Sequence, residues 1–195
     1  MHIADGVLPA ELCVAAHAVA WTGVYALGRR LRPEEISRMG LLAAASFVAS
    51  LAHFPLGGVT VHLGLYGLIG VILGRRGFPV VFATLLFQAL LFQHGGLLSL
   101  GVNAVNMGAG ALAAWGLWSL PGLGAGLRAF AAGFVGTMLP AVLMATEFAL
   151  TGYGRGFAVL ATAYLAAAAI EGLVTAGAVS FFQKTKPEIL QQATA

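Results

Sequence analysis

Charged side chains are scarce in this chain. Of its 195 residues 9% are Asp, Glu, Lys or Arg, against about 25% in an ordinary water-soluble domain, which excludes a polar shell around a buried core. Cysteine is nearly absent: Cys13 stands alone inside an apolar stretch, so no internal disulfide can form. No G-x-x-x-x-G-K-[ST] phosphate loop occurs. The nearest glycine-basic run, Gly74-Arg75-Arg76-Gly77, lacks the lysine and the spacing, so no nucleotide is expected to bind this chain. H-E-x-x-H and close acid-histidine pairs are also missing, which argues against an intramembrane metalloenzyme. The ten basic residues fall in short clusters between apolar spans. They read as membrane topology signals and not as a nucleic-acid surface.

Apolar residues, in contrast, make up 59% of the chain, with a mean hydropathy of +0.91. A bilayer core of roughly 30 Å asks for about 20 apolar residues per helix. On that measure spans are expected near 10–28, 38–53, 60–74, 79–94, 100–118, 129–150 and 157–183, separated by breaks rich in Gly and Pro. The expected fold is an all-α integral membrane protein of about seven transmembrane helices in one bundle. It is expected to form a single domain over residues 1–195 that crosses the membrane several times. With seven spans, Arg29, Arg30, Arg32, Arg38, Arg75, Arg76, Arg128, Lys184 and Lys186 share one side and only Arg155 lies on the other. That bias predicts a cytoplasmic C-terminus and an outside N-terminus. The first apolar stretch has neither a basic n-region nor a small-residue cleavage site, so Met1 is expected to stay in the mature protein.

The histidines follow the same geography. His2, His53, His62 and His94 fall at outside ends of spans, while His17 lies mid-span and is expected to bond a neighbouring helix. His2 carries a special covalent geometry. The amine of Met1, the peptide nitrogen of His2 and its imidazole Nδ1 can close a five-membered and then a six-membered chelate ring around one metal. The amine loses its proton easily, with an ordinary pKa of about 7.7–8.0. The amide does so only for a metal that strongly favours nitrogen in a plane. Divalent nickel and copper do, with cobalt behind them; zinc prefers a tetrahedron. A fourth donor is needed opposite the amide nitrogen, and His62 is favoured, with His53 as the alternative. Gly57, Gly58 and Gly64 would let that segment bend inward as a non-helical stretch lining a protein cavity.

The strings "MHIADGVLP", "VHLGLYGLIGVILG", "LLFQALLFQHGGLLSLGVNAVNMG" and "IEGLVTA" together resemble the CbiM/NikM family over essentially the whole chain. These are the substrate-binding membrane components of energy-coupling-factor transporters for cobalt and nickel. The resemblance implies uptake of cobalt or nickel, with a metal-binding segment at residues 1–9 in which Met1 and His2 bind the ion and His62 completes the plane. It also implies partners: a transmembrane coupling subunit, paired cytoplasmic ATPases, and sometimes a small accessory membrane protein.

Further residues have both a site role and a plainer one. Asn103 and Asn106 could orient ligands or bond between helices, and Asp5 could orient a ligand or cap a helix. His53 and His94 could support the site or be interfacial. Glu147 could draw cations or face water, and Glu171, an acid inside the seventh span, could be functional or pair with another helix. The rival substrate is a small organic vitamin, bound in an apolar pocket on the outside face, for which the N-terminus would not matter. A channel fits least, because a deprotonated-amide chelate holds an ion too firmly for conduction.

Overall fold

A computed structural model of the chain describes residues 2–56, 59–153 and 157–191. Among these, seven helices carry the fold: α1 (Ala10–Gly28), α2 (Pro33–Leu51), α3 (Tyr66–Leu73), α4 (Gly77–Phe92), α5 (Leu100–Ser119), α6 (Ala125–Thr151) and α7 (Phe157–Thr185). A last short turn, α8 (Glu188–Gln191), follows them. Four helical stretches, Ala10–Gly28, Tyr66–Phe92, Ala125–Thr151 and Phe157–Thr185, are long and apolar enough to cross a membrane. Five of the expected spans, 10–28, 79–94, 100–118, 129–150 and 157–183, correspond to α1, α4, α5, α6 and α7 with shifts only at the ends. The second helix starts earlier than expected, at Pro33, whose fixed φ suits a first turn. There the backbone N–H of Arg32 donates to Glu35 Oε2 at 2.8 Å.

The third expected span, 60–74, is not one helix. β1 (His53–Leu56) and β2 (Val59–His62) form an antiparallel hairpin in which His53 pairs with His62. Val59, Thr60 and Val61 are β-branched and suit a strand. Gly57 and Gly58, expected to bend the chain, lie outside the described residues, as does Arg155. Beyond His62 the chain stays non-helical through Gly64 and Leu65, and Leu65 adopts a left-handed conformation with φ 56°. The inward non-helical stretch read from the glycines is therefore present, and α3 begins only after it.

Helix α3 is short but central. Residues 66–72 are all buried, and Gly67 and Gly70 let the backbones of α6 and α5 come close. A methyl on Gly67 would strike the backbone at Ala132 and Gly133, and one on Gly70 the carbonyl of Ala111. Gly74, with φ 57°, and the 3₁₀ turn Gly74–Arg76 then send the chain into α4.

Arg76, one of the residues of the basic bias, is also a structural fastener. Its guanidinium is buried, donates to the carbonyls of Leu27, Arg29 and Arg30 at 2.7, 2.9 and 3.2 Å, and pairs with Glu35 at 3.1 Å. It thereby satisfies carbonyls at and beyond the end of α1 that have no helical partner. The arginines at the end of α1 and the turn before α4 thus share one end of the bundle. His2 precedes the start of α1, about 28 Å away along a 19-residue helix.

Candidate metal centre

The segment before α1 is held in place by the loop leading into α5. Ile3, 1% exposed, donates its N–H to Asn103 Oδ1 at 2.9 Å, and its carbonyl accepts from Asn103 Nδ2 at 2.9 Å and Ser99 Oγ at 2.6 Å. The Asp5 carboxylate accepts the N–H groups of Ser99 at 2.7 Å and Leu98 at 3.2 Å. Burial opposes its ionisation, but these donors outweigh that and hold its pKa below the ordinary value. Asp5 thus caps a helix, α5, from another segment. Gly96 is needed for this approach, since any Cβ there would strike the Asp5 carboxylate.

With Ile3 fixed, the His2 ring enters the bundle and its tautomer is set by a relay. Ser50 Oγ donates its only proton to the carbonyl of Phe47 at 2.6 Å, so towards Gln88 it can only accept. Gln88 therefore presents its amide nitrogen to Ser50 at 2.6 Å and its oxygen to His2. His2 Nε2 must then carry the proton that it donates to Gln88 Oε1 at 2.8 Å. His2 Nδ1, the nitrogen able to close a chelate, is left with its lone pair. Gln88 and Ser50, both 2% exposed, do the orienting that the sequence had suggested for Asn103 and Asp5. Their signal was a glutamine and a serine within apolar spans.

His62, 3% exposed, meets His2 from β2. Its Nε2 lies 3.0 Å from His2 Nδ1, and its Nδ1 lies 3.4 Å from the carbonyl of Leu63. The rings are stacked, with centroids 4.8 Å apart and planes inclined by 28°. The two ring nitrogens thus stand at hydrogen-bond distance, where either a proton on His62 Nε2 or a cation can lie between them. Burial drives the pKa of His2 well below the ordinary histidine value and that of His62 to about 2, so the two rings are neutral donors. Right-angle donors about 2.0 Å from a metal stand about 2.8 Å apart, and tetrahedral ones about 3.3 Å. The observed separation is nearer the right angle.

Of the residues named from the sequence, Met1 lies outside the described residues. His2, His62 and His94 come together, and one ring nitrogen of each lies within 4.8 Å of the others. His53 is exposed, with its ring centroid 5.6 Å from that of His62, and its Nδ1 donates to Leu51. Asn103 fastens the terminal segment through both backbone groups of Ile3. Asn106 instead bonds Glu147 Oε2 between helices at 2.9 Å. His17 does not bond a helix as expected: it donates to the carbonyls of Leu97 and Leu98, both at 3.0 Å, in the loop before α5. Glu171, fully buried in α7, accepts the backbone N–H groups of Gly64 and Leu65 at 2.5 and 2.9 Å, and so holds the connector beyond His62. It anchors backbone, and among the described residues no hydrogen bond or ion pair joins it to another helix's side chain.

The neutral rings make stability depend on pH. Their folded pKa values lie below the unfolded value of about 6.5, and for His94 burial brings it to about 4. Below the unfolded value the unfolded chain binds more protons, so stability is full above about pH 6.5 and falls as the pH drops towards 4. Thermal melts of the metal-free protein in detergent should show Tm falling by several degrees between about pH 7.5 and about pH 5. A Tm that is level or rises over that interval would contradict the neutral cluster.

Comparison with known proteins agrees with this architecture. The family model described as cobalt uptake substrate-specific transmembrane region matches residues 2–189. A cobalt transport protein CbiM of Sorangium cellulosum is 32% identical over 98% of this chain and 95% of its own length. The fused nickel transport protein NikMN of Rhodobacter capsulatus is 31% identical over 97% of this chain and 64% of its own length. A crystal structure of a truncated transition metal transporter superposes with a TM-score of 0.78 at 25% identity, covering 94% of this chain and 98% of that one.

Proposed function

Because the chain belongs to the family of cobalt uptake substrate-specific transmembrane regions, we propose that it is the membrane subunit that binds divalent nickel or cobalt for uptake. The Met1 amine, the His2 amide nitrogen, His2 Nδ1 and His62 Nε2 would hold the ion in a plane. One observation carries this reading: His2 Nδ1 and His62 Nε2 face each other at 3.0 Å, close enough to share one ion, while the His2 ring proton is directed to Gln88. In the fused chelate His2 Nδ1 and the fourth donor are neighbours at a right angle, which is the relation this separation suits. The relatives named for cobalt and for nickel transport support the choice of cargo.

The seven helices act as one substrate-binding domain over residues 1–195, its metal-binding segment at residues 1–9, with the N-terminus and the histidines outside. The C-terminus and the arginine end face the cytoplasm of the inner (plasma) membrane, as the basic bias favours. The sequence has no phosphate loop of its own, so the drive comes from a transmembrane coupling subunit with paired cytoplasmic ATPases and, in some assemblies, a small accessory membrane protein. A vitamin-type substrate would need an apolar cavity at the histidine end. Imidazole rings of His2, His53, His62 and His94, with centroids 4.1–5.6 Å apart, fill that place instead.

The test is bound metal per chain, by mass spectrometry after exposure to nickel or cobalt and removal of loose ions with a chelator. A single retained ion per chain is expected. Retention of none, by a protein that remains folded, would overturn the uptake reading.

A further inference from the structure

The planar arrangement leaves one ring of the cluster unused. His94 sits just beyond α4, positioned by its backbone N–H donating to the carbonyl of Gln88 at 3.2 Å. Its ring stands edge-on to its neighbours, at 68° to His2 with centroids 4.1 Å apart and at 71° to His62 with centroids 5.3 Å apart. Among the described residues its Nε2 is buried without a hydrogen-bond partner. A polar atom left in that state costs free energy unless something satisfies it. With one ring nitrogen from each of His2, His62 and His94 inside 4.8 Å, a cation is a partner that all three can share.

We propose that His2, His62 and His94 form a three-imidazole site for a divalent ion that prefers a tetrahedron, zinc above all. In this site nickel or cobalt is captured before the His2 amide closes the plane. The proposal rests on the reading of His2 and His62 as metal donors given above. Three neutral imidazoles and one water make a complete tetrahedral set with zinc to nitrogen distances of about 2.0–2.1 Å. Tetrahedral donors stand about 3.3 Å apart, so the His2–His62 pair, now at 3.0 Å, opens slightly around the ion and the half-buried His94 ring moves in towards it. No bond to hydrogen breaks in this state: ring lone pairs replace water on the ion. In the next step the unprotonated Met1 amine displaces the bound water, the His2 amide gives its proton to water, and its nitrogen takes the metal in place of His94, which is released. Nickel and cobalt go forward because they accept planar nitrogen. Zinc remains in the first state and leaves again, so selection operates on progress to the second state.

The experiment compares zinc and nickel affinity, by competition with a chromophoric chelator, in the native chain, in His94→Ala and in His94→Gln. The glutamine variant keeps a polar side chain in the half-buried position and guards against a folding defect. Both substitutions are expected to lower zinc affinity at least tenfold more than nickel affinity, and to slow nickel loading, followed by stopped-flow absorbance, at least tenfold. A general loss of structure would weaken both metals alike. Zinc affinity unmoved by either substitution overturns the three-imidazole site, and an unmoved nickel loading rate overturns its role in capture. A native chain that binds zinc through His94 but retains no nickel would tell against the planar site alone, so the two readings fail separately.

Discussion

A chain carrying even one residue ahead of Met1 is expected to bind nickel and cobalt about 1,000-fold or more weakly. The added peptide bond turns the Met1 amine into an amide, which is no donor at neutral pH. The second loss follows from the first: the His2 amide gives up its proton only when flanking donors already hold the metal against it. Two of four donors are therefore removed together. If a four-donor site is worth about 10–16 kcal/mol, each donor carries about 2.5–4 kcal/mol, and two of them exceed the roughly 4 kcal/mol that a thousandfold represents. The fold should survive, because Ile3 and Asp5 remain clamped by Asn103, Ser99 and the Leu98 N–H. Metal content of native and extended protein, with folding checked by circular dichroism, decides the matter. Retention of nickel by the extended chain would remove the amine from the site.

Part of this site was legible in the sequence and part was not, for physical reasons. The chelate at the N-terminus is local covalent geometry, so His2 could be read without any fold. His62 followed from its place beside glycines that permit an inward bend. Long helices such as α6 and α7 announced themselves by sheer apolar length. The hairpin was hidden because a short apolar run, Val59 to His62, fits a strand or a helix start equally well. The relay from Phe47 through Ser50 and Gln88 to His2 joins residues 38 and 86 positions apart, so no spacing rule reveals it. His94 looked like one interfacial histidine among several. Only the fold brings its ring beside those of His2 and His62 and leaves its Nε2 buried without a partner among the described residues.

Replacing Glu171 by alanine is expected to lower nickel affinity about 100-fold, close to the effect of removing His62 itself, although Glu171 touches no metal donor. Its carboxylate is the common acceptor for the N–H groups of Gly64 and Leu65, and Leu65 is held there in a left-handed conformation that a non-glycine residue adopts only under constraint. Without that acceptor the buried N–H of Gly64 and the partly buried N–H of Leu65 are stranded, at about 1–3 kcal/mol for a fully buried group, and the connector between His62 and α3 must shift to find other partners. A shift of about 1 Å is enough to pull the His62 ring out of a plane whose other donors are fixed. The loss is then that of one donor, about 2.5–4 kcal/mol or 100- to 1,000-fold at most. Glutamine at the same position still offers one oxygen able to accept both N–H groups, so Glu171→Gln should recover most of the affinity. The absorption spectrum of bound nickel separates positioning from mere destabilisation: four planar nitrogens in Glu171→Gln, and three with water in Glu171→Ala. An alanine variant with an unchanged nickel spectrum and affinity would show that the connector holds His62 without Glu171.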